Sequence, residues 1–177
     1  MICTNRKITK EVSIPYPLYE SKKGNYFIGE TPILSGESGQ ALVALVNPSY
    51  SNSNIFVNAM TVTNLSDNNL SVEIYVRYSI EGGSISNDVS CVNLGISPAP
   101  IPNGEIVYLS TVSQKPQDGI SLFTRIVSPY STLVIDGSQI IVSPNETISL
   151  YLGGLLPLTA DSTIVALGWW EERICNC

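Results

Sequence analysis

The 177 residues contain no histidine. That absence removes serine and cysteine triads with an imidazole base, histidine-ligated zinc and imidazole acid/base catalysis. Charged side chains make up only 14% of the chain. Long apolar runs are missing: residues 41–46 are stopped by Asn47 and Pro48, far short of the roughly 20 residues a membrane helix needs. The first 25 residues carry cations, but Thr9, Lys10, Glu11, Ser13, Pro15 and Pro17 interrupt the apolar stretch a secretory signal requires. Gly-rich phosphate loops are absent as well, since neither Gly82-Gly83 nor Gly153-Gly154 is joined to a P-loop lysine and a following helix. The chain reads as a soluble protein without a signal peptide and without a membrane partner.

Helix signals are equally sparse. Ala, Leu, Glu and Lys never gather into a 3.6-period stripe longer than two turns, and 13 Gly and 11 Pro punctuate the chain. Strand signals are abundant instead. Residues 55–63 and 71–78 alternate with period two; in the second run Val72, Ile74, Val76 and Tyr78 share one face, and Glu73, Tyr75 and Arg77 the other. The link between them, rich in Asn, Asp and Ser, predicts a hairpin. Further strands are predicted at 26–29, 41–46, 105–110, 121–127, 132–135, 139–142, 147–152 and 162–170. Asp136, Gly137 and Ser138 predict a tight turn, residues 143–146 another reversal, and the Pro-rich stretch 97–102 a loop.

Eight to ten short strands with no helical crossovers predict an all-β protein, a β-sandwich of jelly-roll or Greek-key topology with an extended N-terminal arm. With 44% hydrophobic residues the chain is sized for one core, so the division is an arm over residues 1–25, a body over 26–172 and a cysteine-containing tail over 173–177.

Charge is unevenly placed. In residues 1–25 Arg6, Lys7, Lys10, Lys22 and Lys23 stand against Glu11 and Glu20, a net +3; the rest holds four basic and thirteen acidic residues, a net −9. An anionic body is a poor partner for nucleic acid, which needs clustered Lys and Arg. A cationic arm before an anionic body favours contact between the two, and the arm is expected to leave its own body and dock on a neighbouring subunit. On an extended arm Val12, Ile14, Tyr16 and Leu18 alternate with Ser13, Pro15, Pro17 and Tyr19 and form one apolar docking face. Such a segment can add to a neighbour's sheet edge, with Pro15 and Pro17 limiting full pairing to residues up to Ile14.

Catalytic candidates reduce to carboxylates. Glu73 beside Arg77, or Glu171 next to Glu172, could form a glycosidase pair, but exposed acids on strand faces keep a β-protein soluble, and that is the reading adopted: no catalytic residues and no enzyme. Three glycosylation sequons begin at Asn64, Asn69 and Asn145 and match the frequency of Asn, Ser and Thr here. Trp169 and Trp170 face opposite sides of a strand, which puts one indole in the core and the other on a surface or interface.

Four cysteines remain: Cys3 at one end, Cys175 and Cys177 at the other, Cys91 inside the body. The spacing is a weak match to a zinc knuckle, so neither metal nor cofactor is expected. Three fully paired connectivities and a wholly reduced state stay open. Three terminal thiols suit covalent joining to something else, and all four are candidates for bonds between subunits.

This arrangement of short strands, an N-terminal arm with an early cysteine and no histidine resembles the subunits of bacterial endospore appendages, the Ena fibres. The segments at 26–34, 44–48, 125–133 and 168–172 (Gly-Trp-Trp-Glu-Glu) are also similar to an uncharacterised family of spore-forming Firmicutes. The resemblance implies a homopolymeric, disulfide-stabilised fibre on the spore surface, made in the mother-cell cytoplasm, with a spore-coat anchor protein as a further partner. It also implies that Cys3 joins Cys175 or Cys177 of a neighbour, with Cys91 as the alternative. The other reading is a non-catalytic glycan-binding module using the Trp pair and tyrosines.

Overall fold

A computed structural model describes residues 13–35, 40–155 and 162–174. Cys3, Val12, Cys175 and Cys177 lie outside the described residues. The elements are α1 (Tyr16–Lys23), β1 (Tyr26–Glu30), β2 (Ala41–Asn47), β3 (Ser53–Asn64), β4 (Leu70–Val76), β5 (Ser84–Ile85), β6 (Val89–Cys91), β7 (Glu105–Leu109), β8 (Ile120–Val127), β9 (Ser131–Val142), β10 (Glu146–Leu152) and β11 (Thr163–Arg173).

The strands form two antiparallel sheets, one in the order β6-β1-β11-β3-β9 and one in the order β5-β7-β2-β10-β4-β8. The expected all-β sandwich is the architecture found. Its core includes Leu70, Val72 and Ile74 of β4, which period two aims inward, and Ile55, Val57, Met60 and Val62 of β3, where an irregularity between Val57 and Ala59 changes the phase of the alternation. Phe27 and Trp169 close one end, ring centroids 6.0 Å apart.

Three local expectations are corrected. The runs around β3 and β4 are not a hairpin: they lie in different sheets, and the link between them turns the corner of the sandwich. Buried Asn64 holds that corner, its Nδ2 donating to the carbonyls of Asn68, Val127 and Ser128 while its Oδ1 accepts from Ser66 N–H and Oγ. Alternation reports which face of a strand is apolar but not which sheet it joins.

The second correction concerns Asp136 and Gly137, which make no turn. β9 runs through them, with its register against β3 shifting between Val57 and Ala59. A Cβ at Gly137 would lie 2.6 Å from Val57 Cγ1, so glycine permits the close approach at this irregularity.

The third is the arm, which is helical rather than extended from Tyr16. Pro15 occupies the N-cap position and Pro17 the first turn, where backbone N–H groups have no helical acceptor anyway. Lys22 and Lys23 stand in the last turn, and Gly24 closes the helix at φ +84°. The prolines that limit a strand therefore start a helix.

Candidate functional site

The acids do not behave as solvated decoration. Glu171 is buried near one end of the core, and its carboxylate is filled with donors: Asn103 N–H to both oxygens at 3.0 Å, Asn103 Nδ2 at 2.7 Å, Gly104 N–H at 2.9 Å and Trp169 Nε1 at 3.1 Å. It pins the end of the Pro-rich loop to the sheet. Glu73 is buried on the outer face of the other sheet, under the loop of residues 110–119. Lys115 Nζ lies 3.0 Å away, and Ser121 Oγ and Tyr75 OH donate at 2.8 and 2.9 Å. Burial opposes ionisation of Glu73, but these hydrogen bonds outweigh it and hold the carboxyl below the ordinary carboxylate range. The same bonds to Glu73 push Lys115 above its ordinary value. Arg77 pairs with Glu146 at 3.9 Å instead of Glu73. The expectation of solvated carboxylates is thus corrected for Glu73 and Glu171: each is buried and hydrogen-bonded, in part by donors far away in sequence, which composition cannot reveal.

Glu172 and Trp170 form a second unit on the outer face of β11. Trp169 belongs to the core, as alternation predicts, but Trp170 is not a surface platform. It stacks on Phe56 of β3 (5.2 Å, 1° between planes), lies beside Tyr26 of β1 (6.5 Å) and meets Tyr16 of α1 edge-on (6.0 Å). Its Nε1 donates to Glu172 at 2.9 Å. A hydrogen bond with Glu172, then burial, pushes the Tyr16 phenol up to about 12. Tyr16 therefore packs on its own body by one edge while about half of it stays exposed. Leu18 shares that helix and is partly exposed, and Ile14 precedes it half-buried, so Ile14, Tyr16 and Leu18 do not line up along one strand.

Cys91 is buried on β6 as a free thiol, 3.5 Å from the Gly24 carbonyl. It fills space beneath the helix C-cap, so as a partner for a neighbouring subunit it would first have to be uncovered. Among the described residues, no group of three or more Cys, Asp or Glu side chains could hold a metal ion. A cleft of about 470 Å³ opens at the end of α1, lined by Lys23, Gly24, Asn25, Glu171, Glu172 and Arg173. It contains no nucleophile beside a base, and Glu171 is already saturated with donors.

The feature that sequence reading missed is the side of the sandwich bounded by β8 and β9. These consecutive strands are the outermost members of the two sheets. Along β8, Ile120, Leu122 and Ile126 are each about half exposed; along β9, Val134 and Ile141 are exposed, and Tyr130 stands out on the connection between them. A groove of about 380 Å³ runs between the sheets here, with Val76, Leu122, Ile140, Ile141 and Val142 as its apolar wall and the Arg77–Glu146 pair in its polar one. The opposite side is built differently. Its edges are β6, three residues long, and β5, two residues long, flanked by the Gly- and Pro-containing loops 78–83 and 93–104. Short edges with Pro and Gly protect a sheet from unwanted pairing, whereas a long apolar edge is a template for another strand. The signal for this site is strand order, which becomes visible only when non-neighbouring segments pair.

The family model described as "Family of unknown function (DUF6143)" matches residues 1–176, and the chain belongs to that family. No curated protein and no solved structure matches it.

Proposed function

We propose that the protein is a non-catalytic structural subunit that assembles with copies of itself, and that copies meet on the side bounded by β8 and β9. One observation carries the reading: of the two lateral sides of the sandwich, one is blunted and the other presents two long strand edges bearing exposed Ile, Leu and Val. The disulfide-fixed fibre on the spore surface implied by the resemblance fits such a subunit. In it Cys3, Cys175 and Cys177 are the joining thiols. Because α1 keeps Tyr16 on its own body, the part of the arm left to reach a neighbour is the segment before Pro15. The glycan-platform alternative gains no support from the Trp pair, both indoles being buried.

Negative-stain electron microscopy of the purified full chain, beside a Leu122→Lys, Ile126→Lys double variant, tests the proposal. Ordered multimers from the parent and dispersed particles from the variant are expected. Dispersed particles from both, at every concentration and with oxidant present, would overturn it.

A further inference from the structure

Resting on that reading, the geometry points to one specific contact: we infer that β8 pairs antiparallel with β8 of a second copy about a twofold axis at Thr124, joining two six-stranded sheets into one of twelve. The choice of β8 over β9 comes from the strands themselves. β9 carries exposed Asp136 beside the irregularity at which its ladder with β3 shifts. β8 also shifts in register against β4, at Leu122, but from Phe123 to Val127 the two strands pair without interruption, and the one charge of β8 is Arg125.

The partner follows from self-complementarity, which a twofold interface requires. Arg125 lies over the ring of Phe123 on its own strand, 4.5 Å from the guanidinium carbon to the ring centroid. Both residues point toward the mouth between the sheets, since their β4 partners Ile74 and Val72 face the core. An antiparallel pairing centred on Thr124 sets Arg125 of each copy opposite Phe123 of the other, so the cation–π contact made within the strand is repeated across the axis. Opposite like charges, which destabilise a ladder, arise only if the axis falls on Arg125 itself. The blunted edges at β5 and β6 offer β8 no comparable partner. A twofold pair closes on itself, so a fibre needs a second contact, and the segment before Pro15 with the terminal cysteines remains for that purpose.

Thr124→Cys in a full-length background with Cys3, Cys175 and Cys177 changed to Ser tests the register. Residues directly opposite in an antiparallel pair have Cα atoms about 4.5 to 5.5 Å apart, within disulfide range. With diamide as oxidant, Thr124→Cys should form a covalent dimer at least about tenfold more than Ile126→Cys in the same background, whose thiols lie off the axis. Mixing Phe123→Cys with Arg125→Cys chains should yield the mixed dimer in preference to either homodimer. Equal or preferred cross-linking of Ile126→Cys, or no Thr124→Cys dimer where the parent sediments above monomer mass, overturns this contact while leaving self-assembly standing. A parent that remains monomeric throughout overturns both.

Discussion

Trp169 donates its indole N–H to the carboxylate of Glu171, two residues further along the same strand, at 3.1 Å. The contact ties the core end of β11 to the loop that ends at Asn103 and Gly104, because those residues donate to the same two oxygens. Glu171→Gln keeps the shape but turns an amide N–H₂ toward existing donors. We expect a loss of about 1–3 kcal/mol in folding stability, the cost of disrupting buried bonds to a charged acceptor. Urea unfolding followed by Trp fluorescence measures it, and an unchanged midpoint would show that the loop is held elsewhere.

Glu73 and Lys115 give a pH signature. The Glu73 carboxyl is held below its ordinary range, so its contribution is present above the unfolded-state value near 4.3 and is lost as pH falls through the lower folded value. Lys115 is raised, so its contribution is complete below the unfolded-state value near 10.4 and is lost as pH rises through the folded one. Stability should therefore fall toward both extremes. Glu73→Gln should lower stability most between about pH 5 and 9, and the deficit should shrink as pH falls below the ordinary carboxylate range. A deficit that stays constant from pH 7 down to the lowest pH at which the parent is folded would exclude the ion-paired role.

Both glutamates also mark the limit of sequence reading. The period-two runs at 55–63 and 71–78 predict strands correctly, and the absence of helical stripes predicts the sandwich. The donors that bury Glu73 and Glu171, however, come from Lys115, 42 residues away, and Asn103, 68 residues away. Nothing local distinguishes these acids from solvated ones. Helix α1 was hidden for a different reason: residues 12 to 18 alternate as a strand would, and proline suits either a strand edge or a first helical turn. β5 and β6 are too short to carry a period. The open side defined by β8 and β9 depends on which strands are last in each sheet, a property of pairing order alone.

Tyr16 seals Trp170. Tyr16→Ala should expose the indole, shift Trp emission to longer wavelength and lower stability by about 0.5–1.5 kcal/mol, the scale of one aromatic pair. Phe56→Ala removes the closer, stacked partner of Trp170 and should cost more than Tyr16→Ala. Emission unchanged in Tyr16→Ala would mean that the helix does not shield the ring in solution.

Removing residues 1–14 separates the two proposed contacts, because Pro15 and α1 stay in place to cover Trp170. Such a protein should retain the pair formed through β8 but give no long fibres by electron microscopy. Fibres of normal appearance from the truncated chain would show that the segment before Pro15 is not a connector.

Self-association on the β8–β9 side is the claim on which the account depends, and sedimentation velocity of the full chain under reducing conditions tests it most directly. Across rising concentration the parent should sediment as multiples of its 19.1 kDa mass, while the Leu122→Lys, Ile126→Lys variant, folded by circular dichroism, stays monomeric. A parent that sediments as a single 19.1 kDa species over the whole range would contradict the account.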